Sequence, residues 1–183
     1  LKTAYELYRG SKKPVHRFTS EFEEVIRIIE DTPGTFIHYP KRIANHLYEV
    51  NFDVTLYTGK AKGRARLNFN EKDLIMRISF PIPIPEKYME PCYEFIGIAN
   101  DNINIRKWEL ELDHRTRLIT IVFGLVFEPG IGVLPPYSEH ILKYAIVQMN
   151  QYLKGVQKIT LEGFTAEKAA LNCLGSNIIS GIY

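Results

Sequence analysis

Cations recur at every second position in Lys60, Lys62, Arg64 and Arg66. In an extended strand, side chains at that spacing leave from one face, so the four make a row of positive charge suited to phosphate or carboxylate. The intervening Ala61, Gly63, Ala65 and Leu67 are small or apolar and belong to the opposite face. Nucleic-acid modules generally add aromatic platforms or a groove-entering helix to such a row. No aromatic shares this one, because Tyr57 falls on the other parity. The expected role of the row is therefore cross-strand pairing with carboxylates, or protection of an edge by charge. Glu49, Asp53, Glu109 and Glu111 are the acidic residues at wet-face positions. A surface binding an anionic ligand through Lys60, Lys62, Arg64 and Arg66 is the alternative.

Other chemistry is sparse. Glu109 and Glu111 share a face and could act as an acid and base pair, but they read more simply as the wet side of a hairpin. His16, His38, His46, His114 and His140 show neither HExxH nor a paired His/Cys spacing, so no metal site is expected. The nucleophile signatures GxSxG and SxxK are missing. Cys92 lies on an apolar helical stripe, where cysteine behaves as a small hydrophobe. Gly130-Ile131-Gly132 precedes a helix but lacks the third glycine and the Lys-Ser/Thr pair of a phosphate loop. No catalytic residue and no cofactor is expected from the sequence.

The elements that would position these residues are legible. Ser20 and Glu23 have capping-box spacing, and Phe22, Val25, Ile26 and Ile29 follow on one helical face. Asp31-Thr32-Pro33-Gly34 ends that helix. From Leu47 to Tyr57, Tyr48, Val50, Phe52, Val54 and Leu56 alternate with Glu49, Asn51, Asp53 and Thr55, the pattern of a strand with one buried and one wet face. A turn at Gly59, a strand to about Phe69, a polar turn and a strand from Leu74 to Phe80 complete a meander. Pro81, Pro83 and Pro85 predict a stiff, extended crossing. A helix follows with Cys92, Phe95, Ile96, Ala99 and Ile103 on one stripe, Pro91 suiting its first turn. Ile105–Asp113 and Arg117–Phe127 make a hairpin around Asp113-His114-Arg115-Thr116. Beyond the Pro- and Gly-containing loop 128–137, a helix opens near Ser138, carries Leu142, Ala145, Met149 and Leu153 inward and ends at Gly155. Thr165–Leu174 can form a short helix, and Ser176–Tyr183 lacks periodic burial.

This order predicts an α+β fold: an antiparallel sheet of about five strands with helices packed mainly on one face, in the order α-βββ-α-ββ-α. The expected organisation is a basic arm over 1–17, a single α+β domain over 18–160, and a C-terminal tail over 161–183. The chain has 183 residues, 45% hydrophobic and 24% charged, with a net charge of +2. That is the composition of a folded domain and excludes a disordered or collagen-like chain. Lys2, Arg9, Lys12, Lys13 and Arg17 stand against Glu6 in the arm, so the remainder is slightly acidic. Such an arm can touch nucleic acid or an acidic membrane. No apolar run reaches the roughly 18 residues of a membrane span. Lys2, Glu6 and Arg9 break the apolar pattern of the start, which is not that of a signal peptide. Two cysteines outside any CxxC make a reducing cytoplasm the expected setting.

Between Phe22 and Tyr152 the chain resembles the YbjN-like family of bacterial sensory-transduction regulators, whose fold is similar to that of type III secretion chaperones. The resemblance is carried by Leu74-Ile75-Met76-Arg77-Ile78-Ser79, by Ile84-Pro85-Glu86-Lys87, by Tyr93-Glu94-Phe95-Ile96 in a helix ending at Asn100, and by Trp108-Glu109-Leu110-Glu111-Leu112. The long segment between the first helix and Leu47, the Pro-rich loop before Ser138 and the tail beyond Gly155 depart from the family pattern. The resemblance implies a non-enzymatic, protein-binding role, chaperone-like or regulatory, and a homodimer. It transfers no functional residue. The alternatives from the residues themselves are a nucleic-acid-binding accessory protein using the arm and the Lys60–Arg66 face, and an enzyme of unrecognised type.

Overall fold

Burial alternates residue by residue through the centre of the chain, and that alternation builds the sheet. The computed structural model describes residues 18–102, 108–130 and 140–178. The basic arm, His16, Ile103, Ile105, Ser138 and residues 179–183 lie outside them. Helix α1 (Ser20–Asp31) leads into two short strands, β1 (Thr35–Ile37) and β2 (Lys41–Ala44). The meander is β3 (Leu47–Leu56), β4 (Gly59–Asn68) and β5 (Asp73–Ser79). A 3-10 turn and helix α2 (Met89–Asn102) precede the hairpin β6 (Trp108–Leu112) and β7 (Ile119–Val126). Helices α3 (Ile141–Glu162) and α4 (Ala166–Ile178) complete the described chain.

The fold is α+β, with a seven-stranded antiparallel sheet in the order β1-β3-β4-β5-β7-β6, and β2 also paired to β3. β2 borders Leu47–Glu49 and β1 borders Phe52–Val54, so the two lie end to end along one edge of β3. They are the difference from the expected five strands. Three and four residues are too few to show a periodic signal, and they pair only because β3 offers a long open edge. Val50, Phe52 and Val54 of β3, Ala65 and Leu67 of β4, and Leu74, Met76 and Ile78 of β5 are fully buried in one core with the apolar faces of α1, α2 and α3. The alternate positions of these strands face away from the helices. Asp113 makes the β6–β7 turn, its Oδ1 accepting from the amides of Arg115 (2.9 Å) and Thr116 (2.6 Å).

Three local readings are corrected. The helix cap is Thr19, not Ser20: its hydroxyl accepts the Phe22 amide at 3.3 Å, one residue ahead of the expected box. The proline crossing is anchored rather than free, since the Ile84 amide donates to the Arg117 carbonyl at 2.8 Å and the Ile84 side chain is buried. The last long helix continues through Gly155 and stops at Gly163, whose φ of 70° is the left-handed conformation suited to glycine. Gly155 is there for space: a Cβ would stand 2.4 Å from Cζ of the buried Phe95. The expected boundary at residue 160 lies inside this helix. α4 extends past the expected Leu174 to Ile178, and its Ala166, Ala169, Ala170 and Cys173 are buried against α2 and α3. Small residues at helical spacing give a weak hydrophobic pattern, which is why the tail reads as an appendage in sequence.

Asn100 closes one edge of the sheet. Its side-chain amide donates to the Leu110 carbonyl (3.0 Å) and accepts from the Leu110 amide (2.9 Å), occupying both outward backbone groups of β6 at that residue. The Tyr93 hydroxyl donates to the Leu112 carbonyl at 3.0 Å. The expected helix end at Asn100 is thus a clasp inside α2.

Gly155→Ala separates a terminating glycine from a packing one. At an exposed helix position alanine would stabilise by about 1 kcal/mol. Against Phe95 we predict a net loss of roughly 1–3 kcal/mol, the cost of overpacking a filled core, measured by urea denaturation. A gain would refute the packing role.

Candidate functional site: the open face of the sheet

The face turned away from the helices is assembled by the β3–β4 register, which sets Glu49 opposite Arg66, Asn51 opposite Arg64, Asp53 opposite Lys62 and Thr55 opposite Lys60. β4 alternates as expected, with Lys60, Lys62, Arg64 and Arg66 exposed and Ala61, Ala65 and Leu67 buried. The cationic row therefore exists, and its charges have different fates. Lys62 Nζ lies 2.7 Å from Asp53 Oδ1, which His38 Nε2 also approaches at 3.2 Å. Arg66 Nη2 lies 3.3 Å from Glu49, whose other carboxylate oxygen holds Lys41 Nζ at 3.0 Å. Lys60 and Arg64 form no ion pair among the described residues.

Glu49 is 6% exposed, more buried than a wet-face position implies. Burial pushes its carboxyl upward, but hydrogen bonds from Lys41 and Arg66 and the charges of Lys41 and Arg64 outweigh it and hold the group below its ordinary range. Asp53 is lowered chiefly by the hydrogen bond from Lys62, with burial opposing and His38 assisting. Of the acidic residues on β6, Glu111 pairs with Arg77 of β5 (2.8 Å) rather than with the β4 row. Glu109 makes no ion pair among the described residues. β6 is separated from β4 by β7 and β5, and strand order is not written in a sequence.

Next to these pairs lies a basin of about 860 Å³. It is lined by Asn51, Lys62, Arg64, Arg77, Ser79 and Thr120 of the sheet and, from the β6–β7 hairpin, by residues 111–116 and Leu118. Ser79 and Thr120 share a hydroxyl–hydroxyl hydrogen bond of 2.8 Å. The described lining includes no Phe, Tyr or Trp; the His114 ring lies against Tyr93, tilted by 33° with ring centroids 4.7 Å apart. Of the basin residues, Lys62, Arg64 and Glu111 stand out in the sequence by alternation. Arg77 and Ser79 were missed, although Asp73, Ile75, Arg77 and Ser79 alternate on the same principle. Thr120 had no signal of its own, because its strand reads as a nearly continuous apolar run.

Elsewhere, Cys92 and Cys173 are free and buried, and burial pushes the Cys92 thiol up to about 11, far from the thiolate a nucleophile needs. No group of three or more His, Cys, Asp or Glu side chains converges among the described residues. No helix among them is long and apolar enough to cross a membrane. Comparisons with protein-family models, curated proteins and solved structures find no match to the chain.

The paired and unpaired arginines respond oppositely to neutralisation. Arg66→Gln should cost roughly 0.2–1 kcal/mol, the worth of a cross-strand ion pair. Arg64→Gln should leave stability unchanged or slightly raised, since Arg64 stands opposite Arg77. Denaturant midpoints of the two single variants check this, and equal losses would contradict it.

The depressed carboxylates also give a sign for acid. Their stabilisation is complete above the ordinary values of 4.5 for Glu49 and 3.8 for Asp53, and is lost as pH falls through the lower folded values. Melting temperature should fall as pH drops below about 4.5, and less steeply in Glu49→Gln than in the parent. A parallel acid profile in the variant would contradict the assignment.

Proposed function

We propose that this protein is a non-enzymatic protein-binding module, regulatory or chaperone-like, which engages its partner through the open face of the sheet. The observation that carries the reading is the two-sidedness of the sheet. Among the described residues its helices pack on one face and leave the other uncovered, and that face holds paired charges in fixed register. A free face of this kind offers many fixed polar contacts over a broad area. Protein partners use such contacts, whereas small ligands favour enclosed and mostly apolar clefts. The YbjN-like resemblance, with its chaperone-like fold, leads to the same reading. Two free cysteines suit a cytoplasmic setting.

The homodimer implied by the resemblance belongs, on this reading, to the β1–β2 edge. Phe36, Tyr39 and Ile43 are exposed there, while the β6 edge is closed by Asn100 and Tyr93.

Photo-crosslinking in native cells tests the main proposal. A benzophenone side chain at Ile75, on the open face of β5, should give a discrete adduct with a partner protein. The same group at Lys154, exposed on α3, should not. An adduct from Lys154 and none from Ile75 would overturn the proposal.

A further inference from the structure

We infer that the basin on the open face receives a carboxylate-rich segment of the partner protein, with Arg64 as its anchor. The inference rests on the protein-binding reading and names the chemistry of what is bound. It starts from a like-charge contact. Arg64 of β4 stands directly opposite Arg77 of β5, and like charges facing each other across a strand pair destabilise the sheet. On β4, the cations at positions 62 and 66 each have a carboxylate. Arg64, between them, makes no hydrogen bond or ion pair among the described residues, and only its field reaches Glu49. A cation set opposite another cation in the middle of a sheet, with no partner among the described residues, is the kind of local violation expected at a functional position.

The surroundings decide the ligand class. Lys62, Arg64, Arg77 and Arg115 line the basin against Glu111 and Asp113. Both carboxylates are already committed, Glu111 to Arg77 and Asp113 to the amides of its own turn. Lys62 is held by Asp53 and Arg77 by Glu111, and the charge of Arg115 acts on Asp113, so the positive charge left over in the basin is that of Arg64. Arg77 gives one N–H to Glu111 and retains others of its five donors. The Ser79 and Thr120 hydroxyls share one hydrogen bond, so one O–H remains to donate outward. These groups are donors suited to a charge-assisted grip on an anion. With no Phe, Tyr or Trp among the described lining residues, these offer no platform for bases to stack on, which single-stranded nucleic acid requires. It is open along the sheet face rather than enclosed, which suits an extended peptide better than a small anion. An acidic segment supplies carboxylates at successive same-side positions about 6.6 Å apart.

The test uses the full chain and a fluorescein-labelled hexaglutamate peptide, read by fluorescence polarisation at about 50 mM salt, where charge attraction is weakly screened. Binding should saturate, and Arg64→Glu should weaken it about tenfold, the loss of one charge-assisted contact. Lys60→Glu, which reverses a charge on the same strand outside the basin, should change it less than about twofold. Arg64→Gln should fall between parent and reversal, and supplies the reading if the reversal disturbs folding. Absence of saturable binding, or equal losses in the Arg64 and Lys60 reversals, would overturn the inference. So would a thymidine oligonucleotide or inorganic phosphate that binds through Arg64 more tightly than hexaglutamate. If hexaglutamate fails while Ile75 still crosslinks a partner, this inference falls and the protein-binding reading survives. If Lys154 gives an adduct and Ile75 none while hexaglutamate binding depends on Arg64, the reading falls and the carboxylate site remains.

Discussion

The register between β3 and β4 is the constraint on which the remaining structure depends. Ten residues of each strand pair without a slip, from Leu47 opposite Asn68 to Leu56 opposite Gly59. Because the pleat has period two, a shift by one residue would turn the Lys60–Arg66 row into the core and expose its small partners. Volume enforces the register as strongly as charge. The Phe52 ring occupies the place of a side chain at Gly63, where a Cβ would meet its Cε2 at 2.2 Å. Large residues on β3 and small ones on β4 thus interlock on the helix side. On the open side, the same pairing aligns anions of β3 with cations of β4. β1 and β2 then build on the far edge of β3, and β5 builds on β4, so one hairpin fixes the position of its neighbours.

An open sheet must also end, and here its two edges end differently. At β6 the Asn100 side chain copies the donor and acceptor of a strand residue, and Tyr93 takes a further carbonyl. A further strand would have to compete there with the bonds already made at Leu110 and Leu112. At the other edge the strands are short, and the pairing of β2 with β3 is irregular between Arg42 and Ala44. That breaks the flat template for extension without covering the apolar residues beside it. The asymmetry gives the molecule one edge at which pairing with a second chain is opposed by bonded backbone and one at which it is not.

How much of this was legible follows from how each feature is encoded. Alternation over Leu47–Leu56 and Gly59–Asn68 is a local pattern, and the three-strand meander with its wet and buried faces could be read directly from it. The pairs Lys62–Asp53 and Arg66–Glu49 follow from adjacent strands joined by a short turn. The pair Arg77–Glu111 does not, because β5 and β6 are brought near each other only by the intervening β7. Asn100 reads as an ordinary helix-end residue, since its partner is backbone and backbone has no sequence signature. Gly155 reads as a terminator because a glycine required for packing and a glycine required for a turn are the same letter. α4 was understated for a related reason: alanine buries little area, yet permits the close approach of α2 and α3.

The open face shows how the same charges can serve folding and be left over from it. Glu49 and Asp53 each hold two basic side chains, and Glu111 holds one. These carboxylates lie where strand pairing puts them, so the pairs reinforce the register that formed them. Arg64 has the same exposure and strand, but its register partners are an amide and another guanidinium, Asn51 and Arg77. A carboxylate at position 51 would have completed the pattern of alternating Glu49 and Asp53 on β3. Asn51 instead leaves Arg64 outside the pairing, beside a basin whose own carboxylates are engaged. The difference between a structural charge and an available one is therefore a single residue on the neighbouring strand, and not the row of cations itself.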